Sequence, residues 1–467
     1  MVRAVPEMAF CYYPSRRHIK AYGPYDWEYM TRYVLPHVNT IVSRQQVPEE
    51  QFIEWLKEGR RWISNASLPG LSSKAPPTAD AVCETWSKNA GVAQDGFSGL
   101  IVDEFLDSSE GHYAAWTDAT RRILEMPAFE GRRFYAWCSD LYKHPPGLAF
   151  SRMLVEAGQP LVWERYLREA PTPETARAML DDRLRKPFER WREALPGVEQ
   201  HMVMCLGYLC APPETLNADP RVNYHVFMDM QFHYLATEPV FKGLYGVMEY
   251  MAAYADEESI RWAHNLFRHY GIDGKTDRYT EDPYVLEHVT NPDFADGLNG
   301  WEVRVPEKGS VEQGKREGFS WLQGRYPRTP AGDTFCLMRR SPRGVNLVRQ
   351  VIRGLEPGRP YSLKLISTDL QRMGLEQLLG LHIYIGGAER LRQYEFQVPY
   401  GSSYSHTQPP YDRDHPAYFN YHRVVFRPKA NRAELVIADW RTKTEPGGPL
   451  EQELAFNFIE VQPFLEP

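Results

Sequence analysis

The chain is poor in cysteine and has no long apolar run, and each shortage removes a class of protein. Its six cysteines (Cys11, Cys83, Cys138, Cys205, Cys210, Cys336) are scattered through 467 residues. The one close pair, Cys205 and Cys210, has four intervening residues within a strand-like run, so neither a zinc site nor a disulfide framework is indicated. No segment approaches the roughly 20 apolar residues that a membrane-spanning helix needs, and the opening MVRAVPEMAF lacks the long apolar core of a signal peptide. Charge of one sign is also scarce. With 54 Lys and Arg against 61 Asp and Glu, the net charge of −7 creates no cationic field for nucleic acid or anionic lipid. The expectation is a cytoplasmic chain as it stands, or a secreted or periplasmic one if a leader preceded it, with no nucleic-acid or membrane partner. Nothing in the residues specifies an oligomeric state.

Several catalytic signatures are missing too. No Gly-x-Ser-x-Gly follows a strand, which removes the nucleophile elbow of serine hydrolases. Asp140, His144, His201, His225 and His233 show no His-x-His or His-x-x-x-His spacing at a strand end, so no metal is expected. His225 and His233 fall in a helical stretch where packing is the simpler role. No cofactor motif is present either. After the first strand, Tyr13-Pro14-Ser15-Arg16 stands where a dinucleotide fold carries its glycine-rich phosphate loop.

What remains is an ordinary globular composition, 43% apolar and 25% charged, in a chain long enough for two domains. The 28 Tyr and 12 Trp suit a sugar cleft, where ring faces stack on C–H surfaces, and equally suit an aromatic-rich core. Eight short segments rich in β-branched and aromatic residues alternate with helical patterns: 7–13, 38–44, 60–67, 96–105, 132–142, 160–166, 200–209 and 241–250. Helices are expected at 48–59, 109–126 with Ser109 as N-cap, 173–195, and 256–270, which begins Asp256-Glu257-Glu258 and ends at Gly271. Eight alternating strands predict a parallel (β/α)8 TIM barrel over 1–274. After Gly274 the helical period stops, and 275–290 reads as a linker. Short alternating strands then recur, as in VNLVRQVIRGL, YSLKLIS, LHIYIGG, HRVVFRP, AELVIADW and AFNFIEVQPF, so 291–467 reads as an all-β sandwich.

In this second part Asn291-Pro292-Asp293-Phe294, Gly297-Leu298 and Gly300-Trp301, with VRQVIRGLEPGRPYSLKL, resemble the opening and centre of carbohydrate-binding-module-like jelly rolls. In the barrel, GFSGLIVDEF resembles the fourth strand of TIM-barrel sugar hydrolases, where a glycine-hydrophobic run ends in a catalytic acid. It lacks the spaced aspartates of family 18 chitinases and the Asn-Glu pair of the clan that includes cellulases and β-galactosidases. Strand seven, MVMCLGYL, also has no carboxylate where that clan keeps its nucleophile.

Active residues of such a barrel project from the C-terminal ends of its strands. Asp103 and Glu104 close strand four, Asp140 ends strand five, Glu164 closes strand six and Glu249 closes strand eight. A carboxylate at the end of a buried strand is costly unless a partner or a function holds it. Each acid taken alone could form a structural ion pair with Arg44 or Arg165, or cap the following helix. Together they offer the two carboxyl groups that glycoside hydrolysis requires. Alternation prevents both Asp103 and Glu104 from facing inward on a regular strand. Glu104 is therefore expected as one catalytic acid and Glu164 as the other, a pairing on strands four and six like that of α-galactosidase-type barrels. Asp103, Glu249 and Asp140 are supporting or alternative acids; a bulge at the end of strand four would exchange the parts of Asp103 and Glu104. Tyr12, Tyr13, Arg44, Trp137, Tyr142, Tyr166, Tyr208 and Tyr250 are the candidates for binding sugar. The expectation is a glycoside hydrolase acting on an oligo- or polysaccharide. The alternatives are a non-catalytic glycan-binding protein on the same architecture, or a sugar lyase or isomerase.

Overall fold

The computed structural model describes residues 5–12, 19–23, 25–44, 47–57, 59–106, 109–250 and 254–467. Eight parallel strands close a barrel in sequence order: β1 (Glu7–Cys11), β2 (Thr40–Val42), β3 (Arg61–Ala66), β4 (Gly99–Phe105), β5 (Arg133–Cys138), β6 (Leu161–Arg165), β7 (Met202–Gly207) and β8 (Gly246–Tyr250). The predicted barrel is thus present, and every one of its strands falls inside a segment read from the sequence. Strand residues alternate between two cores. Ala9, Ile63, Ile101, Tyr135, Val162, Val203 and Met248 fill the interior, while residues such as Met8, Leu100, Phe134 and Met204 face the surrounding helices. The bottom of the barrel is closed by Glu7, whose carboxylate pairs with Arg61 at 3.0 Å and accepts the Tyr135 hydroxyl at 2.9 Å.

The helices follow local signals. Asp256 caps the helix Glu257–Leu266 by accepting the Ser259 N–H. The long helix expected at 173–195 is continuous but carries a π-helical turn at Asp181–Arg185. Ser109 makes no capping bond; the chain enters that helix through a 3-10 turn at Glu110–His112. Among the described residues, no helix is long and apolar enough to cross a membrane.

The segment expected as a linker lies flat on the barrel. Arg278 Nε and the Tyr279 N–H donate to Asp229 at 2.6 and 3.1 Å, and the Tyr284 hydroxyl donates to the Ala170 carbonyl at 2.6 Å. Beyond it come β9 (Glu302–Arg304), β10 (Val311–Lys315), β11 (Thr334–Arg339), β12 (Leu347–Arg353), β13 (Tyr361–Asp369), β14 (His382–Gly386), β15 (Ala388–Arg390), β16 (Phe396–Gly401), β17 (Tyr418–Pro428), β18 (Arg432–Ala438), a small hairpin β19 (Trp440–Thr442) and β20 (Glu445–Pro446), and β21 (Glu453–Pro463). They form the expected antiparallel sandwich. A seven-stranded sheet runs β10-β11-β21-β13-β17-β15 with β16 also on β17, and faces a four-stranded sheet β14-β18-β12-β9.

The central strands of the larger sheet, β13, β17 and β21, are buried on both faces. Leu363, Leu365, Val424 and Phe426 pack toward the smaller sheet, whereas Ile366, Phe419, Tyr421 and Ala455 join the hydrophobic cluster of the barrel. Charges are buried in this seam as well. Lys364 meets Glu460 at 3.3 Å, Arg423 meets Asp256 at 3.1 Å and Glu257 at 3.6 Å, and Asn217 Nδ2 donates to Glu460 at 2.8 Å. Burial opposes ionisation of Asp256, but Lys364 and Arg423 outweigh it and hold its carboxyl well below the usual range. Gly324 permits a close backbone approach across the seam, since a Cβ there would lie 2.1 Å from the Pro213 carbonyl oxygen. Because the barrel and the sandwich share one hydrophobic cluster and one ion network, a single calorimetric transition is expected rather than two. Lys364→Met strands buried Glu460 without its cation and should cost on the order of 3–5 kcal/mol in a denaturant titration. Two separate transitions, or an unchanged midpoint, would contradict this packing.

Candidate functional site

The mouth of the barrel is built from strand ends, and its key irregularity lies in β4. Val102 pairs with Ala136 and Phe105 with Cys138, so Asp103 and Glu104 together stand opposite Trp137 alone. This is a β-bulge, and Glu104 occupies its extra position with φ of 71°. The register explains why it forms. Val102 and Phe105 both pack into the helix-facing core, which a regular strand could not allow at a spacing of three. The bulge directs Asp103 inward, where its charge acts on Cys11, Cys205, Tyr166 and Glu164, and leaves Glu104 exposed at the rim. A regular strand was expected to favour Glu104 as the inward acid; the bulge exchanges the two positions.

Glu164 follows inward-facing Val162 on β6 and is half-buried. Burial is the main cause of its pKa being pushed up to about 7. The Asp103 charge adds to that rise and Glu104 contributes less, while hydrogen bonding from Tyr166 and Trp137 pulls the other way. A proton on Glu164 therefore persists to near neutrality, near the carboxyls at the end of β4, two strands away. The Trp137 indole N–H is buried beside this carboxyl and completes no well-formed hydrogen bond with another described residue.

Aromatic rings form the wall. Tyr166 and Tyr250 stack with centroids 5.8 Å apart and planes 9° apart, and Trp137 meets Tyr250 edge-on at 5.6 Å. Tyr166 lies over Gly207 of β7, where a Cβ would come within 2.4 Å of its ring. Gly207 thus lets the tyrosine lean across the mouth. Cys11 and Cys205 form part of the floor, and burial together with nearby acids raises both thiols far above neutrality, so neither supplies a thiolate nucleophile. Sequence reasoning missed these two residues. Inward parity counted from Ala9 and Val203 would have found them.

The remaining expected site residues lie elsewhere. Glu249 faces outward from β8 into the helix layer, 4.0 Å from His264 Nε2, and burial raises its pKa well above the ordinary range. Met248 and Tyr250 take the inward positions instead. Asp140 is held by Lys143 at 2.8 Å, by Arg165 and by the Trp163 indole N–H at 2.9 Å, which makes it a structural ion-pair partner. Tyr208 is buried against Phe232, and Tyr142 packs edge-on to Trp191 at 5.2 Å, both in the helix layer. Tyr12 is buried with its hydroxyl on the Tyr25 carbonyl at 3.1 Å. Arg44 is exposed beyond the end of β2. Tyr13 lies outside the described residues. His225 stacks on Trp262 at 4.7 Å, the packing role expected of it.

No protein-family model matches the chain, and no curated protein matches it. Among solved structures, it is similar to the spore cortex-lytic enzyme SleL of Bacillus megaterium QM B1551, at 11% identity over 57% of this chain and 74% of that one, with a TM-score of 0.37. It is also similar to the Group IV chitinase of Ostrinia furnacalis in complex with allosamidin, at 11% identity over 56% of this chain and 98% of that one, with a TM-score of 0.39. A third likeness is to TmCBM61 in complex with β-1,4-galactotriose, at 12% identity over 38% of this chain and 97% of that one, with a TM-score of 0.21. The assignment below rests on the geometry of the mouth and not on these likenesses.

The raised pKa of Glu164 has a consequence for stability. The unfolded chain releases this proton near pH 4.5 and the folded chain keeps it to about 7, so stability falls as pH rises through that window. Glu164→Gln carries no ionising proton and should be more stable than wild type above pH 7, by on the order of 1–3 kcal/mol, with the difference vanishing below about pH 4.5. Thermal melts across that range test this; a variant less stable than wild type at high pH would contradict the assignment.

Proposed function

We propose that this chain is a glycoside hydrolase acting on an oligo- or polysaccharide, with Glu164 as general acid and Asp103 as the second carboxylate. The observation that carries the reading is the placement of Glu164 beside Asp103 at the barrel mouth under a wall of aromatic rings, where burial pushes its pKa up to about 7. Cleavage of a glycosidic bond requires one carboxyl group to give a proton to the leaving oxygen while another, ionised, acts as nucleophile or as base for water. Burial supplies the first property to Glu164. Asp103 and Glu164 are both half-buried, and a carboxyl whose pKa is raised beside a second acid allows the two to divide acid and base work between them.

Tyr166 and Tyr250 present half-buried rings suited to stacking on a pyranose face. Glu104, exposed at the rim beside the bulge, is placed to accept hydrogen bonds from sugar hydroxyls. The enzyme should act best below pH 7 and lose activity as pH rises through the Glu164 titration, because the acid form is then depleted.

The test is a screen of aryl glycosides and a polysaccharide panel, with binding measured in parallel. Wild type should release reducing ends, whereas Glu164→Gln and Asp103→Asn should lose at least a hundredfold in kcat/KM, and Glu104→Gln far less. A folded Glu164→Gln variant with wild-type turnover would end the assignment. Tight binding of a glycan without any cleavage by the wild type would instead identify a binding protein.

A further inference from the structure

A second cavity opens at the edge of the sandwich, remote from the barrel mouth in the chain and built on different strands. It has a volume of about 460 Å³, within the roughly 300–1,000 Å³ of small-ligand sites, and lies where edge strand β14 of the smaller sheet faces β17 and the start of β16. Its lining joins the nearly buried apolar side chains of Leu381, Ile383 and Val424 to the polar ones of Arg390, Arg392, Glu395, Gln397 and His422.

The polar groups are fixed in place by bonds to one another and to the backbone. Arg390 donates from Nε and Nη2 to the two oxygens of Glu395, each at 2.7 Å, and from Nη1 to the Ile383 carbonyl at 2.9 Å. Gln397 donates its amide hydrogens to the Leu379 carbonyl and to Asn420 Oδ1, both at 2.7 Å, so its own carbonyl oxygen is left to accept. At the back, His422 bonds the Ser367 hydroxyl at 2.8 Å and is kept neutral by burial. Arg392 differs from these. It lines the same cavity, is exposed, and has no ion-pair partner among the described residues. The Arg390 and Glu395 charges cancel, which leaves Arg392 as the uncompensated charge of the lining.

Apolar side chains beside fixed acceptors, with one free guanidinium, fit a sugar ring that carries a carboxylate. The C–H face would lie on the apolar side chains, hydroxyls would donate to Glu395 and Gln397, and the carboxylate would take the planar fork of Arg392. We propose that this cavity is a non-catalytic binding site for a uronic-acid residue of a glycan, an inference that takes its ligand class from the carbohydrate reading of the barrel.

The experiment uses the full chain carrying Glu164→Gln, titrated calorimetrically with oligogalacturonate and with a neutral galacto-oligosaccharide of equal length. The acidic oligomer should bind at least tenfold more tightly. Arg392→Ala on the same background should weaken it at least tenfold, and Arg392→Lys, which keeps the charge but not the fork, should recover part of the loss. Circular dichroism checks that these exposed-site variants fold. Equal binding of the two oligomers, binding of neither, or an Arg392→Ala variant that binds as before overturns the proposal. Cleavage of a glycan by the wild type without acidic-glycan binding here overturns this inference alone, whereas binding without cleavage overturns only the catalytic reading.

Discussion

The structure depends on three strands that have no solvent face. Strands β13, β17 and β21 lie between the smaller sheet on one side and the barrel on the other, and polar residues on the barrel side meet partners there instead of water. Buried charges of this kind are tolerated only when paired, and losing one partner costs more than the pair contributes. Lys364 and Arg423 therefore fix the sandwich in one position against Asp256 and Glu258 of the barrel, while Glu460 on β21 pairs with Lys364 within the sheet. The barrel residues of this seam come from the segments after β1, β7 and β8: Tyr22, which packs on Tyr421; Thr215 and Asn217; and Asp256 and Glu258. Those segments also frame the mouth, so the seam that joins the two halves rigidifies one side of the candidate site.

The opposite side of the mouth is set by the β4 bulge. A regular strand would place either Val102 or Phe105 in the wrong layer, and the extra residue satisfies both while turning Asp103 toward Glu164. The result is a carboxyl group that burial and neighbouring acids keep protonated far above its ordinary range. That arrangement opposes folding at neutral pH, and a cost of this kind at a carboxyl open to the mouth supports the proposed role. The outward acids show the contrast. Asp140 is neutralised by Arg165 and Lys143, and Glu249 sits in a sealed layer beside His264, out of reach of any substrate at the mouth.

The barrel strands were legible because each is a short apolar run bounded by turn residues, and the count of eight determined closure. The sandwich strands were legible in part, since YSLKLIS and HRVVFRP alternate as a half-exposed strand does. That same alternation hides the second buried face: Lys364 and Arg423 stand at its polar positions, and their partners, Glu460 on β21 and Asp256 in the barrel, are distant in the chain. The segment 275–290 read as a linker because it has no period, although its hydrogen bonds to Asp229 and Ala170 tie it to the barrel. At the site, Glu164, Trp137, Tyr166 and Tyr250 followed from strand-end position. The choice between Asp103 and Glu104 did not, because a bulge is a property of register between two strands. The orientation of Glu249 could have been read from its neighbours, since inward Met248 and Tyr250 leave it the outward face.

The central claim is that a proton from Glu164 and a water molecule cleave a glycosidic bond at this mouth. The most direct measurement is mass spectrometry of products formed in water enriched in ¹⁸O from a glycan that the wild type degrades. Hydrolysis places one labelled oxygen at each newly released reducing end, and that is the result expected. Products carrying an unsaturated sugar and no label, or an isomerised sugar of unchanged mass, would contradict the account.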